Sequence, residues 1–214
     1  MSIPDTLVII HYHILPGGVC SAIKNSVFAL SRSGWFAHRT LRVLTGRTDG
    51  VAEFTEYVNR MGIQVEVEVD ARLDYSDRVW SERDDFWRDA SALATWLLQQ
   101  GGETSLFWTH NPTLGKNGLL TAGLMLAGQQ AEAASSQHRF LYHIHDFAEC
   151  GRLWNLTNLR RCWGVGGLED FYPVASNVGY AILNSADSLR LAKAGIPKDR
   201  IFHLPNAVAS IRAE

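Results

Sequence analysis

Leu7-Val-Ile-Ile-His-Tyr-His-Ile-Leu-Pro-Gly-Gly-Val19 decides the fold: an apolar run of strand length ends at two glycines, and a helical pattern begins near Cys20. A run of this kind reads as a buried parallel strand. The turn after it then lies at the carboxyl edge of the sheet, where ligands of open α/β folds collect. Gly17 and Gly18 have no β-carbon, so the main chain can turn tightly and a ligand can come close to its N–H groups. The following helix has Ile23, Val27 and Leu30 at helical spacing and Gly34 as its stop, and its amino end points at whatever sits above the glycines. An anionic or hydroxyl-rich ligand suits that position.

Outward from this stretch, strand and helix patterns alternate. Arg39–Thr45 is β-rich, Val51–Met61 reads as a helix, and Ile63–Val69 alternates apolar with acidic residues as an edge strand does. Asp77–Gln100 reads as a long amphipathic helix closed by Gly101-Gly102. Ser105–Thr109 is a short strand running into His110-Asn111-Pro112, Gly118–Ala134 a helix rich in small residues, and Arg139–His145 another strand. From Phe147 to Ser176 no clear period emerges, and a stretch of that length carries either function or unrecognised structure. Gly179–Leu183 resumes a strand, followed by a helix from Ser185 to Ala194, a turn at Gly195-Ile-Pro197 and a last strand, Ile201–Leu204. Repeated β-α units predict an open, Rossmann-like parallel sheet with helices on both faces.

Composition narrows the function classes. The chain has 214 residues, 46% hydrophobic and 20% charged, enough to bury a full core. A formal charge of −2 and the lack of a basic run interleaved with aromatics argue against a nucleic-acid partner. Cys20, Cys150 and Cys162 are an odd, widely spaced set, which fits a reducing compartment and no zinc pair. No basic leader and no apolar run of spanning length occurs, so the expectation is a cytoplasmic protein without an integral membrane segment. Asn155-Leu-Thr157 reads as a chance sequon.

Histidines gather at strand ends. His11 and His13 end the first strand, His110 a middle one, and His143 and His145, with Asp146, the next. In a parallel sheet all lie on one carboxyl edge with Gly17 and Gly18, and a period of two puts Leu141, His143 and His145 on one side. Two chemistries use such a cluster. A metal-dependent hydrolase gathers His-x-His with a later histidine and an aspartate, but its barrel needs about 250 residues and eight strand-helix units, against about seven strands here. Sugar transfer uses imidazole and carboxylate to bind hydroxyls while a Gly-Gly turn admits phosphate or sugar to the backbone. In that reading His11, His13, His110 and His145 are spread along the edge, with no metal and no cofactor bound. A non-catalytic carbohydrate- or nucleotide-binding module is the third possibility.

Four segments, His11-Tyr-His-Ile-Leu-Pro-Gly-Gly-Val19, Thr109-His-Asn-Pro-Thr-Leu-Gly-Lys-Asn117, His143-Ile-His-Asp-Phe-Ala-Glu149 and His203-Leu-Pro-Asn-Ala-Val208, resemble the amino-terminal half of a GT-B glycosyltransferase. The group they resemble is the retaining nucleotide-sugar enzymes of family four. The resemblance implies an acceptor-side Rossmann-like domain over residues 1–208, with 209–214 beginning a linker to a donor-binding domain. It implies that Gly17 and Gly18 face donor diphosphate and acceptor, and that His145 contacts the transferring sugar with Asp146 orienting it. Lys116 and Asn117 resemble acceptor-side contacts, and His110 and Asn111 are counted among the substrate-binding residues. Partners are a nucleotide-sugar donor, held mainly by the second domain, and a small-molecule or glycan acceptor.

The chain departs from the family pattern in one respect. That family's second domain carries two glutamates seven residues apart and basic residues that grip the donor phosphates, and no such pair occurs in this sequence. The expectation is a half-enzyme that does not transfer sugar alone. Neither G-x-x-x-x-G-K-[ST] nor a full G-x-G-x-x-G is present, which disfavours a P-loop ATPase or a nicotinamide dehydrogenase. Arg152, Trp154, Arg160 and Arg161 in the aperiodic stretch are further candidates to meet an anionic or sugar-like acceptor.

Overall fold

The computed structural model describes residues 3–163 and 171–207. The proposed linker at 209–214, Val208 of the fourth motif and residues 164–170 of the aperiodic stretch lie outside them. Seven strands form one parallel sheet: β1 Thr6–His11, β2 Thr40–Thr45, β3 Val65–Val69, β4 Ser105–His110, β5 Arg139–Ile144, β6 Val178–Ile182 and β7 Ile201–His203. Their order is β3-β2-β1-β4-β5-β6-β7. The chain therefore builds outward from β1 through β2 to β3, crosses back to lay β4 beside β1, and builds the other way. The reversal leaves a crevice between the carboxyl ends of β1 and β4, the position at which open α/β sheets bind ligands.

Among the described residues six α-helices cover the sheet: α1 Gly18–Arg32, α2 Val51–Asn59, α3 Arg83–Gln99, α4 Gly118–Ala133, α5 Leu153–Trp163 and α6 Ser185–Lys193. Every residue of β1 is buried, because alternate side chains serve two cores. Val8, Ile10 and Tyr12 pack with Phe86 and Leu93 of α3, Leu120 and Leu124 of α4 and Leu159 of α5. Leu7, Ile9 and Ile14 pack on the other face with Ile23 and Val27 of α1 and Phe54 and Val58 of α2. The small residues of α4 allow close contact, since a β-carbon on Gly123 would meet Leu93 at 3.0 Å. At the far edge, β3 is exposed over much of its length, and Glu66 pairs with Arg42 of β2 across the register. After β7 the chain returns over the sheet, where Leu204 O accepts from His143 Nε2 at 3.1 Å and Ala207 O accepts from Asn25 Nδ2 of α1 at 2.8 Å.

The structure differs from the sequence reading at three places. The aperiodic stretch contains α5, whose buried face is Asn155, Asn158, Leu159, Cys162 and Trp163, while Leu153 and Trp154 point outward. Two buried asparagines and two exposed apolar residues erase the hydrophobic period. Burial of Asn155 also removes the sequon from the surface. The third helix starts at Arg83 and not at Asp77, because residues 76–80 are held in irregular backbone: Ser76 N donates to Lys116 O at 2.8 Å and Trp80 Nε1 to Asp89 Oδ2 at 2.8 Å. Finally, β1 stops at His11, so His13 belongs to the loop.

Gly115 pins the loop after β4 to α5. Its φ is +79°, and an added β-carbon would lie 2.3 Å from Asn155 O. Gly151 has a similar φ of +86° but open space around it. Gly151→Ala should therefore cost about 1 kcal/mol for backbone strain alone, and Gly115→Ala roughly twice that or more, because a backbone clash is added. Denaturant titration of the two variants measures the difference, and equal losses would refute the clash.

Candidate functional site

The crevice at the sheet reversal is lined by imidazoles. The registers His11↔Thr45 and His110↔His143 set the strand ends level, and alternation puts Trp108, His110, His143 and His145 on one side. Trp108 stacks beneath them, with ring centroids 5.2 Å from His110 and 5.7 Å from His143. His110 Nδ1 lies 2.9 Å from His145 Nε2, and the rings of His143 and His145 are 4.4 Å apart. Histidines spread along the edge are not what the structure has: the His11 ring centroid lies 6.2 Å from that of His110 and 5.5 Å from that of His13. His110 and His145 converge, with His143 as the third member.

Hydrogen bonds to carbonyls fix two of the tautomers, since a carbonyl only accepts. His11 Nδ1 donates to His110 O at 3.3 Å, and His143 Nε2 donates to Leu204 O. The Nδ1 of His143 and the Nε2 of His110 are buried without a hydrogen-bond partner among the described residues. Burial is the main influence on the ionisation of all four rings. It lowers His11 to about 3 and His143 and His145 each to about 4, and it drives His110 well below the ordinary imidazole value, with repulsion between neighbouring rings adding to the effect at His11, His110 and His143. Near neutral pH the cluster is a set of uncharged donors and acceptors.

Asn111 holds the site together. Its φ of +56° is in the left-handed region, which asparagine tolerates better than most residues. In that conformation its N–H donates to His143 O at 2.8 Å and its carbonyl accepts from Tyr12 Oη at 2.8 Å. Its side-chain Oδ1 accepts from the backbone N of His145 at 2.7 Å and of Asp146 at 3.2 Å. One residue therefore joins the ends of β1, β4 and β5 and sets the backbone of His145. Asp146, expected to orient His145, is exposed, and its carboxylate accepts from Arg152 Nη2 at 2.7 Å.

The remaining candidates divide. Gly17 and Gly18 are exposed at the amino end of α1, and a β-carbon there would meet nothing nearer than Leu15 O at 3.9 Å. The fold does not require glycine at either position, so the turn presents open backbone. Asn117 is a buried helix cap: Oδ1 accepts from Leu120 N, and Nδ2 donates to Arg72 O and Asp74 O. Lys116 is half-buried, with Nζ 5.0 Å from the centroid of the Tyr75 ring. Sequence reasoning missed Tyr75, which meets His13 Nε2 through its hydroxyl at 3.1 Å from 62 residues away. It also missed Tyr12. Neither has a local signal, because both act through contacts made by loops.

The three imidazoles of His110, His143 and His145 each offer a ring nitrogen within 4.8 Å of the others, a donor set able to hold an ion after adjustment. Two ligands at 2.0–2.1 Å in a tetrahedral site stand about 3.3 Å apart. The 2.9 Å between His110 and His145 is instead a hydrogen-bond length.

Because these rings are held below their unfolded value of about 6.5, the unfolded chain binds more protons between that value and pH 4, so stability falls on acidification through that window. The melting temperature should be level above pH 7 and drop steadily from pH 6.5 to 4, with a shallower slope in His110→Gln. An unchanged slope in the variant would place the titration elsewhere.

No protein-family model matches the sequence. Over 207 residues the chain is 28% identical to a mannosylglucosyl-3-phosphoglycerate synthase of Petrotoga mobilis, an alignment that covers 95% of this chain. The chain spans 37% of that relative's length. Among solved structures, a glucose-6-phosphate 1-dehydrogenase from Mycobacterium avium aligns over 83% of this chain and 36% of its own at 14% identity and a TM-score of 0.39, a likeness too low to carry an argument. Among the described residues no helix is long and apolar enough to cross a membrane.

Proposed function

We propose that this chain is the acceptor-side half of a glycosyltransferase of GT-B architecture, of the retaining family-four kind, moving a sugar from a nucleotide-sugar to an acceptor. The observation that carries the proposal is the uncharged imidazole cluster at the sheet reversal, on the same edge as the open Gly17–Gly18 turn. Similarity to the synthase along nearly the whole chain supports it. A neutral imidazole both donates to and accepts from a hydroxyl, which suits His145 to a sugar and leaves it a weak base. The exposed N–H groups at the start of α1 suit a diphosphate. Retention requires no protein nucleophile when the leaving phosphate assists, so the work of these residues is positioning and stabilising charge. A second domain supplies the donor-gripping groups, and residues 1–214 alone transfer no sugar.

In the assembled enzyme, Gly18→Val should cut turnover by about tenfold or more while changing the melting temperature little, since the β-carbon position is open and only ligand approach is blocked. His145→Ala should lose more. Steady-state kinetics and calorimetry on the same samples check this, and parallel losses of activity and stability would assign the turn a structural role.

The three-imidazole cluster favours a second reading, a metal-dependent hydrolase. Elemental analysis of purified protein should find no stoichiometric zinc, manganese or iron. One tightly held ion per chain, lost in His143→Ala, would favour the hydrolase.

A further inference from the structure

The helical layer has a gap beside α6. Between the turn after β5, the chain that follows α5 and the last turn of α6 lies a pocket of about 480 Å³, whose apolar wall is Phe147, Tyr172, Leu191 and Ala194. None of the imidazoles lines it. Phe147 and Tyr172 belong to the core, 7% and 4% exposed, with ring centroids 6.4 Å apart. Cys150 N donates to Phe147 O at 3.1 Å and closes the turn, and the Tyr172 hydroxyl donates to the Glu149 carboxylate at 3.2 Å, which joins that turn to the segment after α5. On the other side, Arg190, Leu191, Lys193 and Ala194 fall on one face at helical spacing, with Leu191 buried beneath. The recess is therefore built from parts already fixed by the fold.

The charges at its mouth are unbalanced. Glu149, Arg190 and Lys193, with the thiol of Cys150, complete the lining, so two cations stand against one carboxylate. Glu149 is engaged by Tyr172. Arg190 Nη1 donates to Asp187 Oδ1 at 2.8 Å, and its guanidinium lies 5.6 Å from the Phe147 centroid, which holds a cation over the apolar wall. Lys193 is exposed and forms no salt bridge among the described residues. A recess of this size, apolar within and charged on one side, suits a small molecule with an apolar body and an ionised group. The surplus of positive charge selects an anion, and a surplus of one matches a carboxylate better than a dianionic phosphate ester.

We propose that this pocket is a binding site for a compact hydrophobic carboxylate, with its apolar body against Phe147, Tyr172, Leu191 and Ala194 and its carboxylate at Arg190 and Lys193. The site goes beyond the sugar-transfer reading and does not rest on it.

Titration calorimetry on the chain with 2-naphthoate, 2-naphthylmethanol, 2-naphthylmethylamine and acetate tests it. Naphthoate should bind about tenfold or more tightly than the alcohol, as a charge-assisted hydrogen bond adds, and the amine and acetate should bind more weakly than either. Lys193→Ala should bring naphthoate down to the level of the alcohol, and Lys193→Arg should retain the preference; the side chain is exposed, so the fold is spared. Ala194→Trp should fill the recess and remove binding of both acid and alcohol. Cys150 supplies a local readout, since it is exposed while Cys20 and Cys162 are buried. Its labelling by iodoacetamide, located by mass spectrometry, should slow as naphthoate is added, with half the effect at the calorimetric Kd. Absence of binding, a lead of the alcohol or the amine over the acid, indifference to Lys193→Ala, or binding that leaves Cys150 labelling unchanged would overturn the site.

Discussion

The arrangement of the site depends on the left-handed backbone of Asn111. A parallel sheet leaves its strand ends free to splay, because the ladder stops and each chain departs for its helix. Here a single residue in the αL region turns the chain leaving β4 back across the edge, so that one main-chain unit bonds to both neighbouring strands and its amide bonds to the backbone of His145 and Asp146. The tyrosine hydroxyl that reaches it from beyond β1 is fully buried, which makes the bond expensive to break. The positions of His110 and His145, and through them the whole polar edge, follow from that one conformation.

Much of the fold was legible in the sequence, since it resides in local pattern. The apolar run of β1, the alternating acids of β3 and the small residues of α4 each carry their own signal, and the order of β-α units implies the parallel sheet. Helix α5 was not legible. Its buried face holds Asn155 and Asn158, the second satisfying two loop carbonyls, and its outer face shows Leu153 and Trp154, so its apolar pattern runs against its burial. The site was legible to a similar extent. Period two foretold the shared side of His143 and His145, but not their approach to His110, which the sequence reading spreads along the edge. The roles assigned to neighbours were less secure, because they depend on contacts at long range: Asp146 turns to Arg152, Asn117 caps a helix, and Tyr75 enters from a distant loop.

The electrostatic character of the edge also follows from packing. Trp108 beneath the rings and the strands on either side exclude water, so protonating one imidazole means placing a charge in a poorly solvated space among other imidazoles. The cluster avoids this by staying neutral. Cations stand farther out, around Tyr75 and Trp154 and at Arg152 paired with Asp146, where solvent reaches them. The molecule thus grades from an uncharged, hydroxyl-matching interior of the crevice to a charged rim.

The chain that leaves β7 gives this edge a direction. The Leu204 carbonyl, 61 residues along the sequence from His143, obliges Nε2 of that ring to hold its proton, and the same strand of backbone is tethered to α1 by Asn25. Donor and acceptor sense at His143 is therefore dictated by main chain rather than by solvent or by a neighbouring acid. Any displacement of residues 204–207 would release that proton's partner and free the ring to exchange tautomers, so the polarity that the sheet edge shows a ligand is written in the path of the polypeptide as it departs.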